Sequence, residues 1–282
     1  MHLDPGPLVV VLVLIAAVMH ATWNAIAHAA TDRLVGFALL CTSAFALGAV
    51  LVVTGGPIDG HHLALAALSA ALHVAYMLLL WASYEHGDLS RSYPIARGTG
   101  VALTAVASFF APRSPLGPDV VVGVALVVAG LLGVTLVGGR GPGRGLAAAL
   151  GTGAAIAGYT VVDGLAVSGG APVVAYAGWL FLLQSWVLPL VAVVRRGRRL
   201  RQVERRQVLL GLTGGAVSLL AYGLVLVAQT SGALAAIAAL RELSIAVGVV
   251  IGAFVLHEQA ARRRLLPAVA ITAGAVVLAF SL

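Results

Sequence analysis

The chain has 282 residues, of which 61% are hydrophobic and 10% charged, with a mean hydropathy of +1.05. A soluble domain carries about 25% charged residues, so this composition excludes a large soluble domain and marks an integral membrane protein. The net charge of +7 rests on arginine alone, and its concentration in loops reads as membrane topology rather than a nucleic-acid footprint.

About 20 apolar residues carry a helix across a bilayer, and no open strand edge survives in lipid. Apolar runs broken by Gly, Pro or charge therefore predict ten transmembrane helices, near 8–29, 34–54, 62–84, 90–111, 119–138, 145–168, 172–194, 207–230, 232–256 and 265–282. The leading MHLDPGP lacks the basic flank of a signal peptide, so the first run reads as a retained span. In that run, "ATWNAIAHAATD" places His20, Asn24 and His28 at i, i+4 and i+8 on one face, bordered by Trp23. Two readings of His20 and Asn24 stand side by side: cavity lining, or interhelical hydrogen bonds of about 0.6 kcal/mol each. His28 lies at the span end and reads as interfacial. Cys41 in the second run is the single cysteine, which precludes an internal disulfide and suits small packing volume.

His61 and His62 open the third run as solvated interfacial residues, and His73, alone on an apolar face, reads as a core histidine; Tyr76 follows it. The fourth run holds Tyr93 and, about 8–9 residues in, Arg97. At about 1.5 Å per residue Arg97 is near the midplane, where a charge costs at least ~2.5–3.5 kcal/mol. The Gly-rich "GRGPGRG" after the fifth run lacks the Lys-Ser/Thr of a phosphate loop and reads as a linker. Tyr159 and Asp163 of the sixth run are again i, i+4; Asp163 is placed to neutralise Arg241, to carry a coupling proton, or to face water. Gln184 sits beside Trp186 in the seventh run, and Tyr222 and Gln229 mark the eighth.

The ninth run carries Arg241 at the same depth as Arg97, followed by Glu242 and a stripe of Ser244, Gly248 and Gly252 that permits close helix approach. Both buried arginines read either as contacts to a substrate or gate, or as packing glue held by an acid. Guanidinium grips carboxylate or phosphate bidentately, so the first reading implies an anionic group.

The segment "RRGRRLRQVERRQ" after the seventh span has seven Arg against one Glu; Arg262, Arg263 and Arg264 follow the ninth, and Arg140 and Arg144 the fifth. All follow odd-numbered spans, while Arg113 stands on the opposite side. The positive-inside rule then places the odd loops in the cytoplasm and both termini outside, in a multi-pass protein of the inner (cytoplasmic) membrane. The halves also echo one another. "AYMLLLWASYEHGDLSRSYPIARGTG" and "AYGLVLVAQTSGALAAIAALRELS" each open on Ala-Tyr, continue to a Gly about ten residues on, and reach an Arg inside the next run. Five spans per half is an odd number, so the second copy would enter from the opposite face, the inverted-repeat design of secondary transporters. The expected repeats are residues 1–140 and 141–282.

The motifs "HATWNAIAHAATD", "YPIARG", "AGYTVVDGLAV" and "LRELSIAVGVVIGAFVLHE", in this order, resemble those of EamA-domain transporters of the drug/metabolite transporter superfamily. The resemblance covers nearly the whole chain. It implies an all-α membrane fold of ten helices in two inverted five-helix EamA repeats. It also matches the family's conserved arginine of the fourth span and Arg-Glu of the ninth to Arg97, Arg241 and Glu242, and its first-span cluster to His20, Trp23 and Asn24. The chain departs from related sequences after the fourth span, where "APRSPLGP" stands in place of an acid like Glu258, and near His28, where a Lys is common.

Together these readings predict a secondary transporter, an exporter of a small metabolite with an anionic group, working by alternating access and not as an enzyme. The expected substrate-binding residues are His20, Trp23, Asn24, Tyr76, Arg97, Tyr159, Tyr222 and Arg241, with Asp163 and Glu242 as a coupling site or ion pair. No metal spacing and no nucleotide motif is visible, so no cofactor is expected and proton or solute exchange would drive transport. The expected partners are a small solute, the lipid bilayer and a second copy in a homodimer, with no nucleic acid. The rival reading is a membrane-embedded enzyme acting on a lipid phosphate through interfacial His-acid groups. "YEHGD" and "LHEQ" are the candidates for that chemistry.

Overall fold

The computed structural model describes residues 7–109, 118–137, 143–230, 234–258 and 261–281. The side chains of Gln229 and Glu242 lie outside the described set, as do Arg113, Arg140 and the loop "APRSPLGP" up to its last proline. The regular structure of the described residues is helical: α1 (Pro7–Ala29), α2 (Arg33–Thr54), α3 (Gly60–Glu85), α4 (Leu89–Phe109), α5 (Pro118–Leu136), α6 (Gly143–Ser168), α7 (Val173–Gln184), α8 (Val187–Arg196), α9 (Arg205–Gln229), α10 (Leu234–Phe254) and α11 (Ala261–Ser281). A short 3-10 turn, Gly197–Gln202, carries part of the arginine-rich segment.

These helices fall where the apolar runs predict them, with one difference. The seventh run is two helices, α7 and α8, interrupted at Ser185–Trp186. Pro189 explains the break: it has no N–H to bond the Ser185 carbonyl, and its ring crowds that carbonyl. Among the described residues, α1, α2, α3, α6, α9 and the α7–α8 column with its 3-10 turn are long and apolar enough to cross a membrane. Their outer faces remain greasy, as in Val11, Leu14, Ile15 and Val18 of α1, which are exposed outside the bundle. Loop acids set two helix starts. Asp32 caps α2 by accepting from Val35 N–H at 3.3 Å, and Asp59 caps α3 by accepting from His62 N–H at 3.0 Å.

The packing has a pairwise order. α1 lies against α9 and α10, and α6 lies against α3 and α4; α2 meets α9 as α7 meets α3; α4 packs on α5 as α10 packs on α11. Three further contacts, α2 with α7, α4 with α10, and α5 with α11, join the halves. Glycines make the closest crossings possible. A Cβ on Gly215 of α9 would lie 2.0 Å from the Leu40 carbonyl oxygen of α2, and one on Gly178 of α7 would lie 2.7 Å from the Val52 nitrogen. The predicted small-residue stripe of α10 works in this way. Gly248 faces the Tyr93 ring and Gly252 faces Ser90, so α10 sits directly on α4.

Candidate functional site

The bundle interior collects polar groups that the chain carries far apart. Asp163 of α6 is 1% exposed. Its Oδ1 accepts from the Tyr176 hydroxyl of α7 at 2.6 Å, and its Oδ2 accepts from the Tyr222 hydroxyl of α9. A buried carboxylate needs such donors, because burying it unsatisfied costs several kcal/mol. One turn up α6, Tyr159 stacks on the His73 ring of α3 with centroids 3.9 Å apart. Tyr76 meets Tyr159 edge-on at 5.7 Å, and Tyr222 meets His73 edge-on at 5.4 Å. Phe181 closes the group against Tyr222 at 5.9 Å. His73 is fixed by its own helix, with Nδ1 3.0 Å from the Ser69 carbonyl oxygen and 3.2 Å from the Ser69 hydroxyl.

Arg97 of α4 and Arg241 of α10 are buried beside this cluster, at 6% and 7% exposed. Both lie within Coulombic range of His20 and Tyr76, and Arg241 also reaches His73 and Tyr222. The site thus has two poles, guanidinium from α4 and α10, and carboxylate with its tyrosines from α6, α7 and α9. Several buried donors make no hydrogen bond among the described residues: Arg241 Nη2, Ser244 Oγ and the Trp23 indole Nε1. Leaving a buried donor unsatisfied costs about 1–3 kcal/mol, so a polar guest that reached them would be stabilised.

The sequence candidates divide accordingly. His20, Tyr76, Arg97, Tyr159, Tyr222, Arg241 and Asp163 come together in the interior. Trp23 lies beside His20 with ring centroids 6.1 Å apart. Asn24 makes an interhelical bond instead, accepting from the Tyr84 hydroxyl of α3 at 2.7 Å and donating to the His20 carbonyl at 2.8 Å. Asp163 spends its oxygens on two tyrosines rather than on Arg241. Three members of the cluster, His73, Tyr176 and Phe181, escaped the sequence reading, the last as one more apolar residue of α7. His73 reads as an isolated core histidine, and Tyr176 is hidden in the apolar run "VVAYAGWLFLLQ". The Ser69–His73–Tyr76 spacing on one face of α3 was the available signal for the first.

The arginine-rich end of the bundle is closed over this site by contacts between the halves. Glu258, in the turn after α10, accepts from the Leu89 and Ser90 N–H groups at the start of α4, at 2.7 and 3.0 Å. Arg264 of α11 donates to Asp88 at 2.8 Å and to the Ser90 hydroxyl at 2.7 Å. Asp32 holds Arg196, whose Nη2 donates to Oδ1 at 3.2 Å. Burial alone would raise the Asp32 carboxyl, but the hydrogen bond and charge of Arg196, together with the Val35 and Leu34 N–H groups, outweigh it and hold the group below the usual carboxylate value. His28 Nε2 lies 3.2 Å from the Gly87 carbonyl oxygen. The groupings "YEHGD" and "LHEQ" therefore meet in space, with Asp88 and Glu258 engaged in these contacts. Among the described residues no group of three or more His, Cys, Asp or Glu is disposed to hold a metal ion.

Comparison with known proteins bears on the fold and the family. A solved crystal structure, described only as that of a protein, superposes with a TM-score of 0.65 over 96% of this chain and 96% of its own at 16% identity, which establishes a shared fold. No curated protein matches the chain. Residues 143–280 match the model of the EamA-like transporter family. The likeness to that family thus lies in the second half of the chain.

Proposed function

We propose that the protein is a secondary transporter that moves a small solute with an anionic group across the membrane, outward from the cytoplasm, by alternating access. The observation that carries this reading is the buried convergence of Arg97 and Arg241 with Asp163 and its tyrosines, drawn from both halves of the chain. In this reading the guanidinium groups grip the anionic group bidentately, and Trp23, His20 and the tyrosines enclose the remainder. The matching neighbour relations of the two halves support ten spans in two inverted five-helix repeats, which would rock about the central site. The arginine-rich end, closed by Glu258, Arg264 and Asp88, is then the cytoplasmic gate, and both termini lie outside. Asp163 is the candidate for coupling, since its hydrogen bonds must rearrange if α6, α7 and α9 part.

The test is a thermal-unfolding screen of detergent-purified protein against amino acids, organic acids, phosphonates, nucleobases and cationic drugs, repeated on Arg97→Ala and Arg241→Ala. A ligand at 100 times its dissociation constant adds about 2.7 kcal/mol. Stabilisation by anions that disappears in both variants is the expected result. Stabilisation by cations alone, unchanged in both, would reduce the arginines to structural glue.

A further inference from the structure

A cavity lies away from the central site, at the arginine-rich end between α1, α9 and α10. It measures about 490 Å³ and is lined by Thr22, Ala25 and Ile26 of α1, Leu210 and Gly211 of α9, and Ile251 of α10. From Thr22 to Ala29 it spans about 10 Å along the helix axis, from the level of the loops into the apolar layer. Its outer rim is greasy, with Leu210 45% and Val255 67% exposed. Its loop-side rim is polar, with Arg206 and Gln207 contributed by the first turn of α9. A smaller polar recess of about 270 Å³ adjoins it, shares Thr31, Glu204 and Gln207 with it, and adds Arg199.

This shape matches an amphiphile. A hydrocarbon chain fits the apolar trough, and a negatively charged head group fits the rim. The Gln207 side-chain nitrogen is buried at that rim and makes no hydrogen bond among the described residues. Glu204 stands at the same rim and Asp32, which holds Arg196, lines the adjoining recess, but the segment from Arg195 to Arg206 carries seven arginines against Glu204 alone. Anionic lipids of the cytoplasmic leaflet attract such segments by about 1 kcal/mol per basic residue. We infer that this cavity is a binding site for one anionic phospholipid, its acyl chain lying between α1, α9 and α10 and its phosphate held by Arg206, Arg199 and the Gln207 amide. The site is independent of the central one and stands or falls without it.

The test uses the full chain purified in detergent, with phosphatidylglycerol and phosphatidylcholine titrated separately and glycerol 3-phosphate as the head group alone. Native mass spectrometry counts retained lipid, and thermal unfolding reads stabilisation. Phosphatidylglycerol should be retained as one adduct about tenfold more strongly than phosphatidylcholine, and glycerol 3-phosphate should not stabilise. Arg206→Gln with Gln207→Leu should remove that preference, since hydrogen bonds to a charged group are worth about tenfold or more each. Ala29→Trp and, on another helix, Leu210→Trp should block the trough and abolish retention of the adduct. If the tryptophans prevent folding, the Arg206 and Gln207 variant decides alone. Equal retention of the two lipids, a preference unchanged in the variants, or stabilisation by glycerol 3-phosphate alone would each overturn the assignment.

Discussion

Gly215 and Gly223 lie eight residues apart on α9 and make a matched pair. A Cβ at Gly215 would stand 2.0 Å from the Leu40 carbonyl oxygen and 2.1 Å from the Ser43 hydroxyl, both on α2, whereas a Cβ at Gly223 meets nothing within 4 Å. The Leu40 carbonyl is backbone and moves only if α2 moves. Ser43 moves only by giving up its 2.7 Å bond to the Leu212 carbonyl. Overpacking of this kind costs about 1–3 kcal/mol, and the lost hydrogen bond about 1 kcal/mol. Replacing helical glycine by alanine returns about 0.5–1 kcal/mol. Gly215→Ala should therefore destabilise by about 1–3 kcal/mol, and Gly223→Ala should be neutral or stabilise by up to about 1 kcal/mol. Reversible unfolding in mixed micelles measures both. Equal stability of the two variants would refute the claim that α2 and α9 meet at backbone contact distance.

At the closed end, Glu258→Ala leaves the Leu89 and Ser90 N–H groups without their carboxylate and should cost about 2–3 kcal/mol in the same unfolding assay; Glu258→Gln should recover part of it. Tyr176→Phe and Tyr222→Phe remove donors to one carboxylate, so a double-mutant cycle should show a coupling of about 0.5–3 kcal/mol, and simple additivity would contradict the shared Asp163 contact. The hydrogen bonds from His62 hold the Asp59 carboxyl down at about 2. A depressed carboxyl stabilises above its unfolded value and loses that contribution as pH falls through its folded value. The stability gap between the wild type and Asp59→Asn should thus be full above about pH 4 and close towards about pH 2. Asp32→Asn should behave in the same sense, its gap closing below the ordinary carboxylate value of 3.8. A gap that widens on acidification would show that the caps act otherwise.

Helix positions were legible because each apolar run is bounded by Gly, Pro or charge, and hydropathy is a local property. Pro189 was equally visible, yet the break at Ser185–Trp186 was not read, because hydropathy averaged over a span length stays high across Gln184 and Ser185. The stripe Ser244, Gly248 and Gly252 announced a close approach but not its partner, Tyr93 on α4. The site was legible where a polar group interrupts an apolar run, as Arg97, Asp163 and Arg241 do. It was opaque where the signal depends on which helices meet. Asp163 has Arg241 as its obvious sequence partner, but its oxygens go to tyrosines from α7 and α9. Tyr176 gives no sign at all, since a tyrosine among apolar residues looks like core until an acid is found opposite it. Asn24 shows the converse, a polar residue in the right run whose side chain binds Tyr84 between α1 and α3.

In the proposed function the buried arginines and Asp163 form the path of a transported solute. Flux into proteoliposomes tests it most directly, using labelled small carboxylates and phosphonates with wild-type protein, Arg97→Gln, Arg241→Gln and Asp163→Asn. At least one anion should cross faster than in protein-free vesicles, and either arginine variant, folded and inserted, should slow it about 30-fold or more, the equivalent of losing a buried charge-assisted contact of about 2 kcal/mol or more. Undiminished flux of the same anion through both arginine variants would contradict it.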